Sequence, residues 1–321
     1  MTTRVARRLS LAFAYAVLLI PATVLPAETR MEKTLKLEPG GRFALDTDLG
    51  SVTVTGTESP NARLVVTSKR RDLDELLRFS FQENPGSVTV TARRKGGHVF
   101  PWFGGHNGSV HYEIKVPART LLDIDTSGGA IRIAAMRSEA RLQTSGGGIG
   151  VRDLVGDLNG HTSGGGIDLD RIRGRVNVET SGGGIEGTEI DGPIEADTSG
   201  GSVQLDRVSG DIRAHSSGGG IHIREAGGRV VADTSGGGID ATFARGNDRG
   251  GSLETSGGGI EVALDPAVGL RIDASGSSVR ADLPLTIKGT NSRRRLQGTL
   301  GNGGELLRMH TSGGGVRIHG L

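Results

Sequence analysis

A Thr-Ser-Gly corner recurs every 18 residues through the middle of the chain, and this spacing constrains the fold more than any other feature. The residue that opens the corner falls at Thr126, Thr144, Thr162, Thr180, Thr198, Ser216 and Thr234, with looser copies at Thr255, Ala274 and Thr311. In all ten copies the next two residues are Ser and Gly, and a β-branched Ile or Val stands five positions after the first. Self-similarity at a fixed period is the mark of stacked units, each too small to bury its own apolar face.

Parity inside one unit predicts its shape. In Val178-Glu179-Thr180-Ser181-Gly182-Gly183-Gly184-Ile185, Val178 and Thr180 share a parity that Ile185 does not. A strand alternates its faces strictly, so the chain must bend within Ser181 to Gly184 for both aliphatics to point inward. Glycine suits such a bend because positive φ costs it little. A second change of parity lies between Gly187 and Ile190, after which Ile190, Ile194 and Ala196 agree. Each unit therefore reads as two short strands and two corners, with inward positions at offsets five, seven, ten, fourteen and sixteen from the Thr. A left-handed hexapeptide helix would need an inward aliphatic every six residues. A flat meander would leave one long apolar face bare. The expectation is an all-β, single-chain β-solenoid (β-helix or β-roll) with 18-residue rungs at about 4.8 Å. Ile149, Ile167, Ile185, Ile221 and Ile239 should form an internal column interrupted by Val203, and the Thr hydroxyls an internal ladder beside it.

The 55 glycines among 321 residues fit this punctuation, and only 10 prolines argue against collagen. The ends are less regular. Residues 1–27 read as a signal peptide, with Arg4, Arg7 and Arg8 ahead of an uncharged run from Leu9 to Ile20, then Pro21, Pro26 and Ala27. Residues 28–122 read as a divergent β-rich N-terminal cap with a short helical turn near Asp72 to Leu77. Leu45-Asp46-Thr47-Asp48-Leu49-Gly50-Ser51-Val52 and Gly86-Ser87-Val88 within it are worn copies of the template. Residues 123–283 form the regular solenoid, and 284–321 a polar loop followed by a final capping rung.

Tyr112-Glu113-Ile114-Lys115-Val116-Pro117, running into Leu122-Asp123-Ile124-Asp125-Thr126-Ser127-Gly128-Gly129, resembles the bacterial putative-adhesin family of β-strand-repeat domains of unknown function. Leu37-Glu38-Pro39-Gly40-Gly41 and Gly301-Asn302-Gly303-Gly304 followed by Thr311-Ser312-Gly313-Gly314-Gly315 are similar too. The resemblance spans roughly residues 33–321. Its motifs are structural turns, specific for fold, and they carry no catalytic residues with them. It implies export, a cell-envelope setting and adhesion.

Several function classes lose their footing on the residues themselves. Without residues 1–27 the chain carries 35 basic and 36 acidic residues, so no sustained positive face calls for nucleic acid. There is no Cys, hence no disulfide, thiolate zinc site or lipoprotein anchor. The Thr-Ser-Gly-Gly-Gly-Ile corners lack the Lys of a phosphate-binding loop and enter strands instead of helices. Their serines have no His at a fixed offset that would make them nucleophiles.

Three features remain as site candidates. The position before the corner carries Asp125, Glu179, Asp197, Asp233, Glu254 and Asp273, with Gln143, His161, His215 and His310 at the other copies, while Asp168, Glu186, Asp240 and Glu261 follow the corner. Stacking would set such carboxylates about 5 Å apart, within reach of a bridging Ca²⁺, and Glu254, Asp273 and Glu261 are the first candidates. The Asp spacing of calcium-binding nonapeptide rolls is not reproduced. Phe100, Trp102 and Phe103, on a glycine-flanked loop with His98, His106 and His111 nearby, either contact a partner or plug the end of the core. Arg293 to Arg295 form a basic knot. The functional expectation is an exported, non-enzymatic envelope solenoid, in the periplasm, the envelope or outside the cell, that acts as an adhesin or surface scaffold toward an envelope protein or glycan. It needs no cofactor unless Ca²⁺ binds, and meets a membrane only through an uncleaved signal. The alternatives are a polysaccharide-acting β-helix enzyme and a divalent-cation-binding envelope module.

Overall fold

The computed structural model describes residues 29–69, 73–95 and 110–321. Its strands form two long, mostly parallel sheets of 14 and 15 strands, and each repeat gives one strand to each sheet. Val176–Thr180 lies in the 15-stranded sheet, here called the Thr sheet; Ile185–Asp191 lies in the 14-stranded Ile sheet. The next unit repeats this with Ile194–Thr198 and Val203–Val208. The register is one repeat per coil: Thr180 pairs with Thr162 and Thr198, and Ile185 with Ile167 and Val203. This is the expected β-solenoid.

The interior follows the predicted offsets. Ile185, Gly187, Ile190, Ile194 and Ala196 are all buried, while Glu186, Glu189 and Glu195 between them are exposed. The Ile column runs from Ile131 through Ile149, Ile167, Ile185, Val203, Ile221, Ile239 and Ile260 to Val316, each at most 2% exposed.

The corners hold for a different reason from the one the sequence suggests. No glycine of the regular triplets has its φ in the left-handed region. Their middle members are instead pressed against the coil beneath. A Cβ on Gly183 would lie 2.3 Å from the carbonyl oxygen of Gly165, and one on Gly201 2.2 Å from that of Gly183. Close backbone approach, not backbone torsion, excludes a side chain there. The Thr hydroxyls serve the same contact. They form no hydroxyl-to-hydroxyl ladder: Thr180 Oγ1 donates to the Gly165 carbonyl at 2.7 Å and accepts from its own Gly183 N–H at 3.3 Å. Thr162, Thr198 and Thr234 donate the same way at 2.6–2.7 Å. Ser216 keeps the bond at 2.8 Å, because only the hydroxyl is needed.

The second change of parity is a stacked bulge. Ala135, Asp153, Arg171, Glu189, Arg207 and Glu225, one per coil, have φ between 53° and 58°. A left-handed L-residue costs about 1–2 kcal/mol, and here it turns Ile190 and its counterparts inward. Pairing resumes beyond it, with Ile190 on Val208.

The two ends depart from sequential stacking. The coil Arg42–Thr47 and Ser51–Thr57 lies between Leu121–Thr126 and Ile131–Met136 on one side, and Ser87–Arg94 and Val110–Pro117 on the other. Antiparallel strands Thr29–Leu35, Ala62–Ser68 and Leu77–Asn84 cover that end, and the expected helical turn is Leu73–Leu76. At the other end, Glu305–Thr311 and Val316–Gly320 are not a cap. They sit between Gly251–Thr255 and Ile260–Leu264 below, and Leu270–Ser275 and Val279–Asp282 above. The outermost layer there is the hairpin Leu285–Ser292 and Arg295–Leu300. Ala274 stands over Met309 and not in the Thr column, two positions from the place its repeat suggests.

The corner contact makes a differential prediction. Gly183→Ala forces backbone apart and should lower the unfolding free energy by about 3 kcal/mol in chemical denaturation. Gly128→Ala, with nothing within 4 Å of the added Cβ, should stay within about 0.5 kcal/mol of wild type. Equal effects would contradict the close-approach account.

Candidate functional site

The stacked coils convert each outward offset into a row of side chains along the rod. On the Thr sheet, one row reads Asp46, Asp125, Gln143, His161, Glu179, Asp197, His215, Asp233, Glu254 and His310. Histidines interrupt the carboxylates and pair with them: His215 Nδ1 lies 3.1 Å from Asp233 Oδ1, and His161 Nδ1 3.5 Å from Glu179 Oε2. Partial burial on the sheet raises the Asp197 carboxyl above the usual carboxylate range. Glu195 beside it adds to the rise, and His215 opposes it. Asp125 is raised for the same first reason, with Asp46 and Asp123 as like-charged neighbours.

On the Ile sheet, Asp168 and Glu186 stand side by side, and His222, Asp240, Glu261, Arg317 and Arg280 continue the same row. The latter group borders a shallow groove of about 450 Å³. A second groove, of about 670 Å³, follows the bulge column past Val155, Arg171, Arg173 and Arg207. Ion pairs cross the bulges, Arg171 to Asp153 at 2.7 Å and Arg207 to Glu189 at 3.4 Å. These pairs are about half exposed, so they contribute little to stability.

The three carboxylates first considered for a metal are not brought together. Glu254 and Asp273 are on the Thr sheet with the strand Glu305–Thr311 between them, whereas Glu261 is on the Ile sheet. Asp273 has left the acidic row altogether; it pairs with Arg308 and contacts Arg295 at 3.2 Å. Glu254 accepts from Ser252 at 2.9 Å, and Glu261 lies 3.5 Å from His319. Among the described residues no group of three or more His, Asp or Glu is arranged to hold a metal ion. Phe100, Trp102, Phe103, His98 and His106 lie outside the described residues. His111 is on Val110–Pro117, its Nδ1 2.9 Å from Ser51 Oγ.

Sequence reasoning missed two juxtapositions that the threaded ends create. Ser275 Oγ lies 2.8 Å from His310 Nδ1, and Ser51 meets His111 across 60 residues of chain. Both pairs join coils that are separated in the chain by antiparallel covering strands, so no fixed offset reveals them.

Two stacked sheets, 18-residue coils and glycine corners are what a family comparison must explain, and one family model, Toastrack DUF4097, matches residues 42–319. The chain belongs to the Toastrack DUF4097 family. This bears out the resemblance to β-strand-repeat domains of unknown function. No curated protein matches. Among solved structures, this Toastrack chain is similar to a putative cell adhesion protein from Clostridium sporogenes, at 12% identity over 91% of this chain and 100% of that one, with a TM-score of 0.26. A putative adhesin from Bacteroides fragilis matches at 11% identity over 92% and 99%, with a TM-score of 0.34. A putative lipid binding protein from Parabacteroides distasonis matches at 12% over 90% and 96%, with a TM-score of 0.32.

The raised Asp197 carboxyl makes a signed prediction. The folded Toastrack chain holds this proton more tightly than the unfolded chain, so ionising Asp197 weakens the fold as pH rises through the carboxylate range. Asp197→Asn should therefore melt above wild type at pH 7, and the gap should close as pH falls below about 4. A gap that widens on acidification would reverse the assignment.

Proposed function

We propose that this Toastrack protein is an exported, non-enzymatic cell-envelope rod that serves adhesion or surface scaffolding. The observation that carries the reading is the division of labour within each coil. Inward positions and corners are held to apolar residues, hydroxyls and glycine, while the outward positions vary freely among acid, base, amide and hydroxyl. Such a scaffold displays a long, regular array of side chains, which favours broad contact with a macromolecular surface over a single enclosed centre.

Export rests on Arg4, Arg7 and Arg8 followed by the apolar run Leu9 to Ile20. No helix among the described residues is long and apolar enough to cross a membrane. The partner is an envelope protein or a glycan, and the aromatic residues Phe100, Trp102 and Phe103 supply part of the contact.

Immobilised protein, incubated with envelope fractions and with a panel of envelope glycans, tests both halves of the reading. Wild type should retain a partner and leave every glycan at full length. The Phe100→Ala, Trp102→Ala, Phe103→Ala triple variant should retain markedly less. Release of shortened oligosaccharides would overturn the non-enzymatic assignment, and absence of any retained component would overturn adhesion.

A further inference from the structure

The interposed coil near the Gly301–Gly304 turn is held in a slot whose two walls belong to consecutive chain. Gly251–Thr255 and Ile260–Leu264 form one wall, and Leu270–Ser275 and Val279–Asp282 the other. Everywhere in the regular solenoid, two such consecutive coils stack directly on each other. Here they are separated by Glu305–Thr311 and Val316–Gly320, which arrive through a turn in which Gly301 and Gly303 have φ of 53° and 78°.

The walls match each other along their strands but not at their corner. The segment Ala274-Ser275-Gly276-Ser277-Ser278-Val279 keeps the repeat's five-residue step from corner to column. In the structure, however, Gly276 stands where Ala274 would be expected. The inner residues of Leu270–Ser275 are shifted by two against the Thr column, and the corner is two residues short. A two-residue shift preserves which side chains face inward. Sliding back by two would place Ile272 over Leu253, Ala274 over Thr255 and Val279 over Ile260, with every inward residue still inward. Only Asp273 over Glu254 would bring like charges together on the outer face. The slot does not close when the interposed coil is out, however: the slid corner would set Ser277 over Gly258, where a Cβ on Gly314 would meet the Gly258 carbonyl oxygen at 2.2 Å, so the emptied slot stays open to another coil. The coil itself carries a complete set of inward groups, Leu307, Met309, Thr311, Val316 and Ile318, all buried in the slot.

We propose that Glu305–Gly320 is an exchangeable coil, which a second copy of this chain accepts in the same slot. Both copies then regain every ladder bond and the Thr311 contact to Gly258, 2.6 Å in the single copy. Reciprocal exchange of an identical element is a low-cost route to a dimer, and the turn at Gly301–Gly304 acts as the hinge.

The absence of cysteine makes the test direct. Ser252 and Arg308 are registered partners on the outer face of the slot. One full-length preparation carries Ser252→Cys and another Arg308→Cys, with tags of different mass. They are mixed, warmed to just below the onset of melting, cooled and oxidised. Exchange predicts a disulfide-linked dimer containing one chain of each kind, increasing with warming time and protein concentration. A control mixture of Glu179→Cys and Asp197→Cys, registered partners in the sequentially stacked middle, should give only background. A doubly substituted Ser252→Cys, Arg308→Cys chain oxidised before warming should stay monomeric. If the slot mixture yields no more cross-linked dimer than the control, or the locked chain dimerises as readily, the coil does not exchange.

Discussion

The backbone contact between successive glycine corners is the constraint on which the rest of the structure depends. Coils spaced for hydrogen-bonded pairing, about 4.8 Å apart, bring the middle glycine of one triplet so close to the carbonyl below that no Cβ fits. The same carbonyl receives the Thr hydroxyl, which otherwise would be a buried donor without a partner. Spacing, hydroxyl bond and strand register therefore specify one another. The period of the chain is fixed by that three-way agreement and then copied from coil to coil.

With the interior and corners so constrained, variation is confined to the outside. Neighbouring coils carry Asp, Glu, His, Arg, Gln or Thr at equivalent outward positions without any change in the core. Charge pairs across the bulges and the histidine–carboxylate contacts of the Thr sheet tune local electrostatics, but they hold little of the fold. A rod of this kind keeps the interior that sets stability apart from the outer faces that vary. Its weak points are the ends, where sequential stacking gives way to threaded coils and antiparallel covers.

Much of this was legible in the residues because strand parity and an 18-residue period leave few geometries open. The inward offsets, the Ile column and the two changes of parity all follow from alternation alone. The physical role of the glycines did not follow, since a residue chosen for torsion and one chosen for close approach look identical in a sequence. The left-handed Glu189 and its equivalents were invisible for the opposite reason: nothing in Ala, Arg or Glu advertises positive φ, and Asp153 is the single member of the column whose residue type favours it. The placement of Asp273 was misjudged because a two-residue slip preserves parity, and the threaded strand it pairs with lies some 35 residues further along. Of the candidate site, the acidic row was found as a row, but the carboxylates thought to share a metal were spread over two sheets.

Residue-resolved hydrogen exchange in the native state tests the stacking most directly. The amides of Ile149, Ile167, Ile185 and Ile221 each donate to a carbonyl of the next coil at 2.9–3.0 Å, so all four should exchange slowly and at closely similar rates, near that of global unfolding. Rapid exchange of these amides, at rates typical of solvent-exposed loops, would show that the coils do not share one interior.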